Sequence, residues 1–264
     1  MTRAAETLHI TQPALTRTLQ QLERQMGVQL VERTTHRVAL TEAGITFREQ
    51  VIGVVAAFDQ LVAPAPTASS PLRVGHAWSA LGARTSGLVQ RWRESNPDVP
   101  LEVKRIDDRF AGLRDRRVDV AILRGDLQAP GIHVEPLFDE ARIAALPIDH
   151  PLAAHDALTL LDLTTDPVVI NTVSGTTKLS LWGSGPRPPR KVRVGNTDDW
   201  VAAISSGSGL GVTAASTAHM YPYPGLVYRP LSDAPPIQVS LAWPQRSPHP
   251  ATAQFVRLAR DAVR

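Results

Sequence analysis

Five polar side chains, Gln12, Thr16, Arg17, Gln20 and Gln21, fall at spacings that gather them on one side of a helix. Their amides, hydroxyl and guanidinium supply donors and acceptors of the kind that read base edges in a duplex major groove. Thr11, Pro13 and Ala14 open the same segment. Arg33 and Arg37 bracket a polar turn at Thr34, suited to backbone phosphates or the adjacent minor groove. A solvated amphipathic helix would carry the same polar face, and residues 1–41 have an excess of only two positive charges. The face gains meaning from the order of elements around it.

Catalytic chemistry is poorly provided for. There is no Cys, which removes thiol nucleophiles, disulfides and zinc knuckles together, and fits a reducing compartment. The His residues, among them His76, His133, His150 and His155, show no metal-binding spacing. Ser174 lies in Val-Ser-Gly-Thr rather than a nucleophile elbow. Gly207, Gly209 and Gly211 have a helix before them and a strand after, the reverse of a phosphate cradle. Arg187, Arg190 and Lys191 form a basic loop that reads as solvated surface. No enzyme, metal or cofactor is expected.

The elements that must position the polar face are short. Thr2 to Leu8 reads as a helix with Ala4, Ala5 and Leu8 inward, and Ile10 sits in a tight connection. Thr11 can cap a second helix whose early Pro13 is harmless, because first-turn N–H groups have no intrahelical partner. Leu15, Leu19, Leu22 and Met26 form one apolar stripe on it, and Gly27 ends it. A hairpin follows around Thr34, Thr35 and His36. A third helix then runs from Glu42 to Leu61, with Phe47, Val51, Val54, Phe58 and Leu61 in an a/d seam read as a dimer contact.

Ala63 to Pro71 is a linker, rich in Pro and small residues and free of charge. Beyond it, apolar strand-like runs alternate with helical ones, the pattern of parallel α/β units. Helices are expected at Ser79 to Ser95, closing at Leu113 to Arg117, and at Leu158 to Leu163, Asp198 to Ser206 and Thr252 to Val263. The 264 residues carry a formal charge of +3, with 43% hydrophobic and 5% aromatic content. So large a core is that of a folded protein, and so few aromatics argue against a base-stacking single-strand binder. No apolar run approaches the ~18 residues of a membrane span, and the N-terminus is not a signal peptide, so a cytoplasmic protein without membrane contact is expected.

Two helices joined by a turn, followed by a basic hairpin, describe a winged helix-turn-helix. The run from Arg3 to Gly44, with Gln-Pro-Ala-Leu at residues 12–15, Leu22-Glu23, Gly27, Arg33 and Leu-Thr-Glu-Ala-Gly at residues 40–44, resembles the DNA-binding region of LysR-type transcriptional regulators. His-Pro-Leu-Ala at residues 150–153, Arg-Arg-Val-Asp-Val-Ala-Ile-Leu at 116–123 and Ser-Ser-Gly-Ser-Gly-Leu-Gly-Val at 205–212 resemble that family's effector-domain landmarks. Val31 replaces the usual Phe, and Thr16 the usual Ser.

The resemblance implies a winged helix-turn-helix and linker helix over residues 1–62, a hinge over 63–71, and a two-lobed α/β effector domain resembling periplasmic binding proteins over 72–264. Lobe I is expected at about 72–140 and 245–264, lobe II at about 141–244. The implied function is a regulator that binds double-stranded DNA through Thr11, Gln12, Pro13, Ala14, Thr16, Arg17, Gln20, Arg33, Thr34 and Arg37. A small-molecule effector, an anion or carboxylate, would bind at Trp78, Ser79, Arg124, Asn171, Thr172, Thr176, Thr197 and Thr213, with Arg124 the sharpest choice. Homodimers through the third helix, assembling as tetramers, are implied as well. The family also has a helix ahead of Thr2. Exposing a few hundred Å2 of its apolar seat would cost several kcal/mol at ~25 cal/mol per Å2, so the expectation is a start lying upstream or weak DNA binding. The competing reading is a small-solute-binding protein without DNA-binding activity, which the attached helix-turn-helix and missing export signal oppose.

Overall fold

A left-handed His9, φ 55°, reverses the chain between the first two helices, and the Ile10 N–H donates to the Ala5 carbonyl at 3.0 Å. Ala5 is buried where the helices cross, because a larger residue would hold them apart. These are α1 (Thr2–Thr7) and α2 (Gln12–Met26). Thr11 has extended backbone and accepts from the Ala14 N–H, Pro13 sits in the first turn, and Gly27 at φ 69° closes α2 in the left-handed region. The computed structural model describes residues 2–33, 38–62, 67, 69–246 and 248–263, in two units, Met1–Ala63 and Pro64–Arg264.

The hairpin pairs β1 (Val31–Arg33) with β2 (Val38–Leu40) antiparallel, Val31 opposite Leu40. Glu23 of α2 ties it down: its carboxylate accepts from the Leu30 and Val31 N–H groups at 2.8 and 3.1 Å. Thr41 donates to the Gln29 carbonyl at 2.6 Å and accepts from the Gly44 N–H at 2.9 Å, starting α3 (Glu42–Val62) against the hairpin. Gly44 must lack a side chain, since a Cβ there would lie 2.0 Å from the Leu30 carbonyl oxygen. The stripe on α2 is less covered than its periodicity predicts. No α2 residue is buried, and Leu19, Leu22, Leu30, Phe47 and Val51 line an open apolar groove of about 460 Å3.

In the second unit the chain runs β3 (Leu72–His76), α4 (Thr85–Ser95), β4 (Leu101–Arg105), β5 (Val120–Arg124), β6 (Ile132–Glu140), β7 (Arg142–Pro147), β8 (Val168–Asn171), β9 (Lys191–Val194), α5 (Thr197–Ser205), β10 (Gly211–Ala214), α6 (Ser216–Met220), β11 (Leu226–Pro230), β12 (Ile237–Pro244) and α7 (Thr252–Val263). One sheet has the order β4-β3-β5-β12-β6, with β3 parallel to β4 and β5, and β12 antiparallel to β5 and β6. Leu72, Val74, Val120, Leu241, Trp92 and Phe255 fill its core, the last two rings meeting edge-on at 5.7 Å. The second lobe holds the antiparallel sheet β10-β7-β11 and the parallel pair β8-β9. Val168 of β8 bridges Leu210 just before β10, so the two adjoin, and Leu146, Leu158, Val168, Leu210 and Trp182 form one core cluster against them.

Four expectations are corrected. Leu158 to Leu163 is not a helix: Leu158 bridges Leu231 as a strand residue does, and only a 3-10 turn at Asp162–Thr164 follows. Residues 237–244 belong to the first lobe rather than the second, because β12 supplies the strand between β5 and β6; the boundary falls after β11 instead of at residue 245. Leu113 to Arg117 is not helical, since Ala111, Gly112 and Arg116 all have positive φ. The helix expected from Ser79 starts at Thr85, after left-handed Ser79 and Ala80 and a 3-10 turn at Gly82–Arg84. Among the described residues no helix is long and apolar enough to cross a membrane.

Candidate functional site

On α2, Gln12, Pro13, Ala14, Arg17, Gln20 and Gln21 are exposed, and Thr16 is half-buried beside them. The Gln12 amide donates to the Thr16 hydroxyl at 2.9 Å, which fixes two polar groups of this face relative to each other. The start of a helix and its exposed donors lie together here, the arrangement by which a recognition helix meets base edges. Arg33 ends β1, with its side chain outside the described residues; Thr34 and Arg37 also lie outside them.

In the second unit a cleft of about 290 Å3 opens between the lobes, at the small end of the ~300–1,000 Å3 typical of ligand sites. Trp78, Arg109, Arg124 and Asp126 line it from the first lobe, and Arg142, Ser174, Thr176, Lys178 and Ser180 from the second. A smaller chamber of about 30 Å3 adjoins it, lined by Trp78, Asn171, Thr176, Thr197, Trp200, Thr213 and Thr217. The structure thus brings together Trp78, Arg124, Asn171, Thr176, Thr197 and Thr213. It does not bring Thr172, which is exposed and donates to the Val194 carbonyl at 3.2 Å. Ser79 lines neither cavity: it is 1% exposed, with its Oγ unpartnered.

Arg124 is not a free anion receptor. Its Nε donates to Glu140 Oε2 at 3.1 Å, Nη1 to the Trp78 carbonyl at 3.1 Å and Nη2 to Ser216 Oγ at 3.2 Å. The guanidinium also stacks on the Trp78 ring at 4.6 Å. Burial pulls its pKa down and Glu140 opposes this, so the group stays charged but neutralised in place. It fastens β5 to the end of β6 and to α6, holding the lobes in register. Burial, then Arg124 and Arg105, push the neighbouring His76 down to about 4, so this ring stays neutral at physiological pH.

Asn171 is likewise committed: its carbonyl oxygen accepts from the Val173 and Ser174 N–H groups, and its amide donates to Ser174 Oγ at 2.9 Å. It shapes the loop that brings the Ser174 carbonyl to the Trp78 indole N–H at 3.4 Å across the cleft. Thr213 and Thr217 pair their hydroxyls at 2.8 Å in the chamber wall. Sequence reasoning missed Arg142, Lys178, Ser174, Trp200 and Thr217. A charged residue opening a strand or loop carries no local signal separating a cleft wall from solvent. Among the described residues no cluster of His, Asp and Glu has the arrangement of a metal site.

Comparison with known proteins matches the family model for the LysR substrate binding domain to residues 65–264, and that for the bacterial regulatory helix-turn-helix protein, lysR family, to residues 1–45. The Hca operon transcriptional activator HcaR of Escherichia coli K12 is 28% identical over 275 residues, spanning 99% of this chain and 92% of that protein. A full-length OxyR variant from Pseudomonas aeruginosa has a similar fold at TM-score 0.58 and 24% identity, covering 99% of this chain and 88% of its own. The BenM effector binding domain with its effector benzoate aligns at TM-score 0.61 and 19% identity, covering 74% of this chain and 92% of that one.

Proposed function

This chain belongs to the LysR family of bacterial transcriptional regulators, and on that premise we propose where it meets DNA, where it meets its effector and how it assembles. It is a DNA-binding regulator controlled by a small molecule. The DNA contact is the exposed face of α2, with Thr11, Gln12, Pro13, Ala14, Thr16, Arg17 and Gln20 in the major groove and Arg33, Thr34 and Arg37 of the wing on phosphates or the minor groove. The effector site is the interlobe cleft and its chamber, and the effector is a small anion. The protein works in the cytoplasm. Homologues of this family are regulators, and no catalytic role is assigned to the cleft.

The carrying observation is that one chain joins an outward donor-and-acceptor face on α2 to a basic, hydroxyl-lined cleft between two lobes. Ligand bound there favours one angle between the lobes, which is a population shift and needs unequal affinity for the two arrangements. Two copies would meet through α3, where Val54 and Phe58 of the seam are 69% and 63% exposed, and dimers would pair into tetramers. Selection of DNA sites from a random pool with the full chain, followed by footprinting, tests this reading. A footprint weakened about 5–150-fold by Gln12→Ala and by Arg17→Ala supports it, as expected when a base contact worth ~1–3 kcal/mol is lost. No recovered site, or a footprint indifferent to both changes, refutes it.

A further inference from the structure

Arg142 opens β7 where the chain first crosses between the lobes, and Pro235 lies on the second crossing. The Arg142 Nε donates to the Pro235 carbonyl at 2.9 Å, so this side chain joins both crossings. Its Nη1 is closed off from solvent and has no hydrogen-bond partner. Among the described residues Arg142 makes no ion pair, in contrast to Arg124 with Glu140 and Arg73 with Asp119. Desolvation lowers its pKa and no neighbouring acid raises it. A buried guanidinium donor without a partner is rare in folded proteins and calls for an explanation. The surroundings supply one. The cleft wall that contains Arg142 also carries Arg109 and Lys178, neither of them in an ion pair among the described residues, against the single acid Asp126.

We propose, building on the effector-cleft reading above, that Arg142 is the residue that takes the acid group of the effector, which is a small carboxylate bound as its anion. The carboxylate accepts from the part of the Arg142 guanidinium that lines the cleft and supplies the counter-charge the group lacks, while Arg109 and Lys178 draw the anion toward the mouth. Arg124 contributes by position, holding Trp78 as one wall. A neutral ligand of the same shape would leave the guanidinium without a counter-charge and bind poorly. Because Arg142 reaches both crossings, the acid group lands where the lobes turn on each other, and binding is felt directly by the angle between them.

The test is thermal unfolding of the full chain in millimolar acetate, succinate or benzoate, each against chloride at equal ionic strength, with benzamide as the uncharged counterpart of benzoate. At least one carboxylate is expected to raise the transition by about 2–4 °C, with benzamide giving no rise. Arg142→Gln is expected to remove most of that rise, Arg142→Lys to keep part of it, and Arg93→Gln, on α4 and outside the cleft lining, to keep it all. The shift is read within each variant, so a change in its starting stability does not obscure the result. No rise with any of the three acids, an equal rise with benzamide, or a rise undiminished in Arg142→Gln overturns the assignment. DNA footprinting of the unmodified chain is scored separately: its failure would sink the regulator reading while leaving the anion result standing.

Discussion

Replacing Arg124 with Met removes a cation from a place that holds its counter-ion out of water. Arg124 and Glu140 expose 4% and 9% of their side chains. The variant loses the bonds to Glu140, the Trp78 carbonyl and Ser216, and leaves the Glu140 carboxylate with the Ser216 N–H. Breaking a buried pair from one side costs about 3–5 kcal/mol, because the surviving charge stays buried and uncompensated. At ~2–4 °C per kcal/mol for a chain of this size, the main transition should fall by about 6–20 °C. The assay is urea and thermal unfolding at pH 7 followed by tryptophan fluorescence, with Arg124→Met, Glu140→Gln and the double variant forming a cycle. The double variant should recover roughly half of the loss or more. A single variant within about 1 kcal/mol of wild type, or a cycle with no coupling, would refute the view of this pair as a buried ion pair that holds β5 to β6.

Gly44→Ala places a methyl group 2.0 Å from the Leu30 carbonyl oxygen. Helix propensity alone would favour Ala by ~1 kcal/mol, so a net loss of about 2 kcal/mol or more, read as faster amide exchange over residues 28–44, marks the clash as dominant. Thr41→Val removes both the bond to the Gln29 carbonyl and the cap on Gly44. It should cost about 1–2 kcal/mol, measured by the same exchange experiment. His76, with its pKa lowered from 6.5 to about 4, binds a proton more readily in the unfolded chain. Its contribution to stability is complete above pH 6.5 and is lost as the pH falls toward 4, by on the order of 2 kcal/mol after allowance for partial solvation. His76→Asn should flatten that part of the pH–stability curve; an unchanged slope means the ring is not the titrating group.

The helix-turn-helix was legible because its signals are local. Thr11, Pro13 and Gly27 each act through backbone chemistry within one or two turns, and each is found doing so. The long strand β6 was not legible. Pro136 and a run of acids break its alternation, and only the structure shows it as an edge strand paired to β12 alone, with a bulge between Val239 and Ser240 opposite that region. Arg124 stood out as a charge ending an apolar strand, correctly, but its counter-ion lies sixteen residues away and belongs to another strand. The sequence therefore pointed to a costly cation without saying whether protein or ligand satisfies it. Arg142 is the converse case: an ordinary-looking arginine whose isolation depends on chain crossings that no local pattern encodes. Thr172 misled because it follows strand β8 as a cleft residue would, yet its hydroxyl turns to the Val194 carbonyl.

The place of β12 between β5 and β6 has a consequence for biosynthesis. An emerging chain holds four of the five strands of the first sheet long before the fifth is made, and until then β5 and β6 each present an unpaired rim. Every strand of the second lobe, by contrast, is complete by residue 230. On the ribosome the inserted lobe can therefore consolidate first, while its host waits for the last thirty or so residues to close the gap. Truncations that stop short of Ile237 should yield a protease-resistant core from the middle of the chain and a first lobe that is digested.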